Sequence, residues 1–381
     1  VDVAIVGGGI AGLAVARKCV LRGLRPCVIE ARDLCAGASG RNAGFAMTGL
    51  AEPYTQLIAH FGAPRARRIW EVSQENLREI LDLCAAQSIH CDLVSCGSVV
   101  AAWTLRERDE LLASQRLLAK DGFDARWVEG EALADKIGST RYHGAIFVPQ
   151  DHGIHPVKFV RGLADYVRAN GGLVLEHHEV RTYEQRDGTV VVHTSKGPVV
   201  ADKLVLSTNA YTRNVCAELG ALVSPTRGQV LCTEPTEPLL KALVYTDDGF
   251  QYARQLPDNR VVAGGWRRDF ASTEVGLADE VTAGVQAGIE SWLHESWPSL
   301  KHVPISHRWS GTMGFSPDGL PLVGKLASNI AYGVGFTGHG LGFALAVARA
   351  VMAALMDDAN DSIFAANRLR DGGAIKGGVK S

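Results

Sequence analysis

Three features of this sequence predict a two-lobed α/β chain (α+β in its lobe arrangement). Its 381 residues exceed the usual size of a single hydrophobic core. Its opening residues read as a strand, a glycine turn, a helix and a second strand, a β-α-β unit. Beyond that unit, strand-like and helix-like stretches keep alternating, with no internal repeat and no low-complexity linker.

Val3 to Val6 is a short apolar run ending in Gly7-Gly8-Gly9, the pattern of a buried parallel strand. Ile10 to Arg22 has helical composition and Gly23 stops it; Arg25 to Glu30 is the second strand. Ala36 to Gly44 is a glycine-rich loop. Gln56 to Gln87 is mostly helical, with Pro64 marking a break or a helix start, and Ser98 to Thr104 alternates like a strand. Helices over Glu107 to Lys120 and Glu131 to Ile137 precede a strand over Gly144 to Pro149. The turn from Asp151 leads into a helix from Pro156 to Ala169, with Val157, Val160, Leu163 and Val167 on one face. Leu173 to Val180 reads as one strand. Two more follow, punctuated by Asp187-Gly188 and Lys196-Gly197, and Leu204 to Leu206 is a buried one. Gly228 to Arg268 is strand-like with breaks, Ala278 to Trp292 is helical, and Trp309 to Gly324 reads as rich in turns. Ile330 to Gly335 is the last strand, Leu341 to Met356 an apolar helix suited to pack on the sheet, and Lys376 to Ser381 a loose tail.

Composition narrows the function classes. With 39 basic and 41 acidic residues and no basic stripe, nucleic-acid binding has no electrostatic support. No apolar stretch reaches the roughly 18 residues needed to span a membrane. The eight cysteines form no C-x-x-C pair and no zinc-spaced cluster with histidine, so no metal is expected. They read as reduced, mostly buried thiols of a cytoplasmic protein, with a Cys91–Cys96 bridge as the alternative. The chain opens on a strand without an initiator Met, which leaves a trimmed leader open.

The glycine turn carries the chemistry. Gly7-Gly8-Gly9-Ile10-Ala11-Gly12 fits G-x-G-x-x-G, and Glu30 ends the next strand 18 residues after Gly12. In that context the pattern is a dinucleotide site. Gly7 permits the turn, Gly9 lets the backbone approach a pyrophosphate, and Gly12 lets the helix pack closely. The helix N-terminus stabilises the phosphates. Glu30 can accept hydrogen bonds from a ribose and repels a 2′-phosphate. The motif alone does not separate NAD from FAD, but there is no second copy to hold NAD(P).

Three further blocks resemble the D-amino-acid oxidase superfamily of flavoproteins, which includes glycine, sarcosine and gamma-glutamylputrescine oxidases. Gly37-Ala38-Ser39-Gly40-Arg41-Asn42-Ala43-Gly44 resembles the loop along the FAD pyrophosphate and flavin, with wording nearest the gamma-glutamylputrescine branch. Gly144 to Val180, then Asp202 to Tyr211, is similar to the return of the chain into the FAD lobe, with Val180 offering backbone to the adenine. Trp309-Ser310-Gly311 through Asp318-Gly319-Leu320-Pro321, then Gly335-Phe336-Thr337-Gly338-His339-Gly340, resembles the C-terminal flavin segment. The resemblance runs from Val1 to about Met356. It implies a Rossmann-type FAD-binding lobe from residues 1–84, 149–222 and 309–381, and an antiparallel-sheet substrate lobe from 85–148 and 223–308. The implied FAD contacts add Ala31, Arg32, Thr208 and Asn209 to the residues already named. On the substrate side they add Met47, Tyr252, Arg254 and His339.

Departures from the family are informative. Gly311 and Arg41 stand where relatives carry the Cys or His that attaches FAD covalently, so non-covalent FAD is expected. Met313 and Gly342 replace the family's substrate-carboxylate anchors, an Arg and a Lys, and a thioether cannot make a bidentate pair. Val262 or Ala263 replaces the Lys that promotes reaction with oxygen. Arg254, on the strand face of Tyr252, is the substitute anchor expected first, with Arg267 and Arg268 behind it. The expected function is oxidation of the C–N bond of a small-molecule amine, with electrons leaving to oxygen or to a separate carrier. A 2-hydroxy-acid dehydrogenase, kept open by His339, and a flavin monooxygenase are the alternatives.

Overall fold

The structure is a computed structural model that describes residues 1–356 and 362–371; the tail from Lys376 to Ser381 lies outside the described residues. A six-stranded sheet holds Val3–Val6 at its centre, between Pro26–Ile29 and Lys203–Leu206. Leu173–Leu175 continues it beyond Pro26–Ile29, and Ile330–Val334 beyond Lys203–Leu206, all parallel. Leu322–Ala327 closes one edge antiparallel. The central strands are buried on both faces, which is why they read as unbroken apolar runs rather than alternating ones. Helices Ile10–Val20 and Gly340–Leu355 pack on this sheet and on each other, and Ala63–Ala86 packs on the second of them. A three-stranded antiparallel sheet of Val180–Arg186, Thr189–Thr194 and Gly197–Ala201 stands beside it.

The second large sheet has eight strands in the order Ile305–Phe315, Ser224–Thr233, Val261–Gly265, Gln251–Gln255, Leu243–Thr246, Ser98–Ala101, Ala145–Val148 and Arg126–Val128. All its pairings are antiparallel except Leu243–Thr246 with Ser98–Ala101. Period-two alternation separates its faces. Leu231, Val244, Ala253, Val261 and Ala263 pack under helix Ala283–Ser296, where Trp292 and Trp297 meet edge to face with centroids 5.6 Å apart. The intervening residues Val230, Tyr245 and Tyr252 face a cleft on the other side. The chain is therefore a mixed α/β protein with a parallel Rossmann-type sheet and antiparallel sheets.

Several expected boundaries are corrected. Leu173 to Val180 is not one strand: the carbonyl of Leu175 accepts from Glu30 N and His178 N bonds back to the Glu30 carbonyl, so Val180 starts a different sheet. The helix expected from Ala278 starts at Ala283, because Gln229 Oε1 holds the Thr282 amide at 3.1 Å in extended backbone. Trp309 to Gly324 is strand as far as Phe315, turns from Pro317 to Leu320 and is strand again from Leu322. Its glycines serve close approach: a Cβ on Gly311 would lie 2.9 Å from Arg41 Cβ, and one on Gly314 2.6 Å from Asn209 Oδ1. Cys91 neighbours Cys84, Sγ to Sγ 3.6 Å, rather than Cys96.

The N-terminus of helix Gly340–Leu355 is fixed by one side chain of Ala63–Ala86. Fully buried Asn76 donates to the Leu341 carbonyl at 2.8 Å, and its Oδ1 accepts from the amides of Leu345 and Ala346 at 2.9 and 3.2 Å. Asn76→Ala strands these groups without solvent. It should cost about 1–3 kcal/mol, read as a lowered thermal-unfolding midpoint; an unchanged midpoint contradicts this account.

Candidate active site

The helix Ile10–Val20 begins at Gly9, whose side of the turn opens on the cleft. An α-helix leaves its first N–H groups without intrahelical partners. Ser39 Oγ takes that of Ile10 at 3.0 Å, which draws the glycine-rich loop against the helix end and leaves neighbouring amides for a ligand. A Cβ on Gly9 would lie 2.7 Å from this Ser39 oxygen, and one on Gly12 would lie 2.0 Å from the Gly7 carbonyl oxygen. Gly12 therefore sits behind the turn and allows the helix its approach. Glu30 has both oxygens engaged by backbone: Oε2 accepts from Gly8 N at 2.7 Å and Oε1 from Arg32 N at 3.0 Å. A carboxylate has about four lone-pair sites, so capacity for a ribose remains.

The structure brings together in one cleft Gly9, Ile10 and Ala11 of the first turn, and Ala38, Ser39, Arg41, Asn42 and Ala43 of the glycine loop. Met47, Asn209, Tyr252 and Gly311 also line it, as do Thr337, Gly338, His339 and Gly340 of the last turn. The cleft and its open mouth hold about 1640 Å³ of space between the two large sheets. Open helix amides, a ribose-type carboxylate and a glycine-lined trough fit a dinucleotide.

Other expected residues hold the site from behind. Gly40 and Gly44 face backbone: a Cβ on Gly40 would lie 2.3 Å from the Cys35 carbonyl oxygen, and one on Gly44 would lie 1.9 Å from that of Ile154. Thr208 bonds Thr212 at 2.9 Å, and Asn209 Oδ1 accepts from Gly335 and Phe336 amides at 3.0 and 3.2 Å, tying that loop to the last turn. Ala31 is exposed; Arg32 lies over Tyr211 and, like Arg41, reaches Asp279. Val180 is buried at the root of the small sheet.

Arg254 is corrected. It does share a strand face with Tyr252, but its side chain is buried outside the cleft. It donates to the Gly44 carbonyl at 3.3 Å and the Ile154 carbonyl at 2.8 Å. Burial pushes its pKa down to about 10, and its role here is to fasten the glycine loop. Of the three arginines expected as anchors, Arg267 is the one that lines the cleft.

His339 has a defined tautomer. Its Nδ1 lies 2.8 Å from the Thr337 carbonyl. A carbonyl only accepts, so Nδ1 carries the proton and Nε2 is the acceptor. Burial lowers its pKa below the ordinary value, which keeps the ring neutral at pH 7.

Sequence reading missed the aromatic wall. Tyr245 and Tyr252 pair across adjacent strands and stack at 6.2 Å and 27°, with Phe45 edge-on to Tyr252 at 5.6 Å. Phe250, Phe315 and Phe336 add to it. Burial pushes the Tyr245 hydroxyl up to about 12 and Tyr252 higher, so both stay protonated. Period-two alternation of Tyr252 with Arg254 was the available signal. Asp151, read as a turn residue, is fully buried behind cleft-lining Thr48. It accepts from the Thr48 amide at 2.9 Å and from Ser98 Oγ at 2.6 Å, and desolvation pushes its pKa up to about 7. Among the described residues no cluster of three or more His, Cys, Asp or Glu could hold a metal, and no helix is long and apolar enough to cross a membrane.

Comparison with known proteins agrees with this geometry. The chain is 31% identical over 354 residues to gamma-glutamylputrescine oxidoreductase of Escherichia coli K12, covering 89% of this chain and 80% of that protein. It is 27% identical over 334 residues to glycine oxidase of Geobacillus kaustophilus, 85% of this chain and 84% of that protein. The crystal structure of glycine oxidase from that organism superposes with a TM-score of 0.81 at 21% identity over 94% of this chain and 95% of that one. L-proline dehydrogenase from P. horikoshii gives 0.81 at 19% identity over 97% and 98%. The family model described as FAD-dependent oxidoreductase matches residues 2–354. The chain belongs to this D-amino-acid oxidase family of FAD-dependent oxidoreductases.

Proposed function

We propose that this enzyme oxidises the C–N bond of an amine. The aromatic wall of Phe45, Tyr245 and Tyr252 beside the last glycine turn is the observation that carries the reading. Desolvation in this cleft disfavours an ammonium, so the amine is held with its lone pair free. When bound, FAD supplies the hydride acceptor at its N5. The protein contributes position and field. Met47, Tyr252 and His339 line the space where the substrate lies, and the neutral His339 Nε2 can accept a hydrogen bond from the nitrogen. Loss of a hydride from the carbon and a proton from the nitrogen leaves an imine, which water cleaves to a carbonyl compound and an amine.

The first turn, the glycine loop, Glu30 with Ala31 and Arg32, Val180, and the Thr208-Asn209 and Gly335–Gly340 turns hold the FAD in this proposal. The lobe division proposed is 1–84, 149–222 and 309–381 for FAD, and 85–148 and 223–308 for substrate. Eight unpaired cysteines suit a cytoplasmic enzyme, and oxygen or a separate carrier reoxidises it. The same His339 acceptor supports a second reading, oxidation of a 2-hydroxy acid, whose hydroxyl proton needs a base.

FAD should be non-covalent, because neither Gly311 nor Arg41 can form the attaching bond; acid precipitation should release all colour, and a yellow washed pellet contradicts this. Gly12→Val, which drives a branched side chain into the Gly7 carbonyl, should abolish FAD binding. Glu30→Ala should weaken it by about 1–3 kcal/mol. Unchanged affinity in both variants places the cofactor elsewhere. In an anaerobic screen of amines and hydroxy acids, amines with recognition groups remote from the nitrogen should bleach the flavin, as expected for a relative of gamma-glutamylputrescine oxidoreductase. Glycine and sarcosine should be poor, and bleaching by hydroxy acids alone would select the second reading.

A further inference from the structure

Two guanidinium groups reach the cleft, those of Arg41 and Arg267. Arg41 is occupied: it donates to the carbonyls of Ala36 and Ser310 at 2.8 and 2.9 Å and pairs with Asp279 at 3.1 Å. Arg267 differs. Its Cζ lies over the rings of Phe250 at 4.5 Å and Phe315 at 4.8 Å, and among the described residues it has no hydrogen-bond acceptor and no ion pair. A guanidinium carries five in-plane donors. The two rings contact the guanidinium without accepting its N–H groups, and the residue lines the cleft, so its donors are free there. Burial works against its charge, yet an arginine stays cationic at neutral pH. A half-desolvated cation with open donors is costly until an anion joins it.

Its place in the wall fixes the kind of anion. Phe315 and Met313 lie two residues apart on one strand, and both line the cleft. Met313 stands at the position of the family's carboxylate-binding Arg. Here its side chain fills the gap between two glycines: its Cε lies 2.9 Å from a Cβ built on Gly228, and its Sδ 3.4 Å from one built on Gly338. The cation of the wall now comes from a different element: the Arg267 guanidinium lies against Phe315, two strand residues on from Met313.

We propose that Arg267 is the substrate anchor of this enzyme and that it binds a carboxylate through its free edge. The amine then carries its carboxylate at the end of a linking chain, rather than on the reacting carbon as glycine does. This inference rests on the amine-oxidising reading of the cleft, but its test does not need turnover. The holoenzyme is titrated with linear monocarboxylates from acetate to hexanoate and with the matching neutral amides, following perturbation of the flavin absorbance. The longer carboxylates should bind and their amides should not. Arg267→Met, with normal FAD content, should weaken carboxylate binding by about 10–100-fold, the range for a charge-assisted hydrogen bond. Arg267→Lys should lose less, keeping the charge but not the fork. Equal binding of acids and amides by the unaltered enzyme overturns the proposal even where a variant fails to fold. So does equal carboxylate binding by the unaltered enzyme and Arg267→Met. Arg267-dependent carboxylate binding in an enzyme whose flavin no amine reduces supports the anchor and removes only the C–N reading.

Discussion

The site depends on one constraint: the glycine loop from Ala36 to Gly44 must touch both large sheets at once. On one side Ser39 reaches the end of the first helix, which sits on the parallel sheet. On the other, Arg41 donates to Ser310, Trp309 Nε1 donates back to the Arg41 carbonyl at 2.8 Å, and Arg254 donates to Gly44. Ala43 then packs with Val230, Cys232 and Val262 on the cleft face of the eight-stranded sheet. Close approach needs small residues at two of its positions: Gly40 lies against the Cys35 carbonyl and Gly44 against that of Ile154. Remove that fastening and the dinucleotide trough and the aromatic wall no longer share a cleft.

This explains which parts of the molecule were legible in the sequence. The first β-α-β unit is local: strand, turn, helix and acidic residue follow within thirty positions, so periodicity and glycine spacing suffice. The helix Pro156–Ala169 was legible for the same reason, its start set by a proline and its face by apolar spacing. What failed was set by distant partners. Gly311 and Gly314 look like turn residues, yet they are strand residues made small by Arg41 and Asn209 from far along the chain. The delayed start of helix Ala283–Ser296 belongs to Gln229, and the early end of strand Leu173–Leu175 to Glu30. No local pattern encodes those contacts; tertiary context overrides propensity there.

Two of the arginines expected as anchors, Arg254 and Arg267, show the same limit in function. Arg254 and Arg267 are thirteen positions apart, and strand parity favoured the first, because it shares a face with Tyr252. Parity says which face a side chain leaves from, not what it meets. Arg254 meets two carbonyls and is used up by the fold. Arg267 follows a strand whose end is bent sharply: Gly265 has φ of +120° and Trp266 of +57°, with the Trp266 amide 2.6 Å from the Phe250 carbonyl. That bend places the Arg267 guanidinium against the rings of Phe250 and Phe315 instead of in the sheet.

The electrostatics of the cleft follow from how its charges are spent. Glu30 is engaged by two backbone amides and Arg41 by two carbonyls and a carboxylate, so both act as fixed partial fields around the dinucleotide trough. His339 is held neutral with its acceptor nitrogen defined by the Thr337 carbonyl, and the two tyrosines are held protonated. Around the His339 turn, therefore, the tyrosines and the imidazole are uncharged. Arg267 keeps its charge in the same wall, near enough to act on both tyrosines and on His339, with its donors unspent, and the carboxylate of Asp248 also lines the cleft. In the proposed reaction this arginine supplies binding, and the uncharged groups leave the amine lone pair available where the C–H bond breaks.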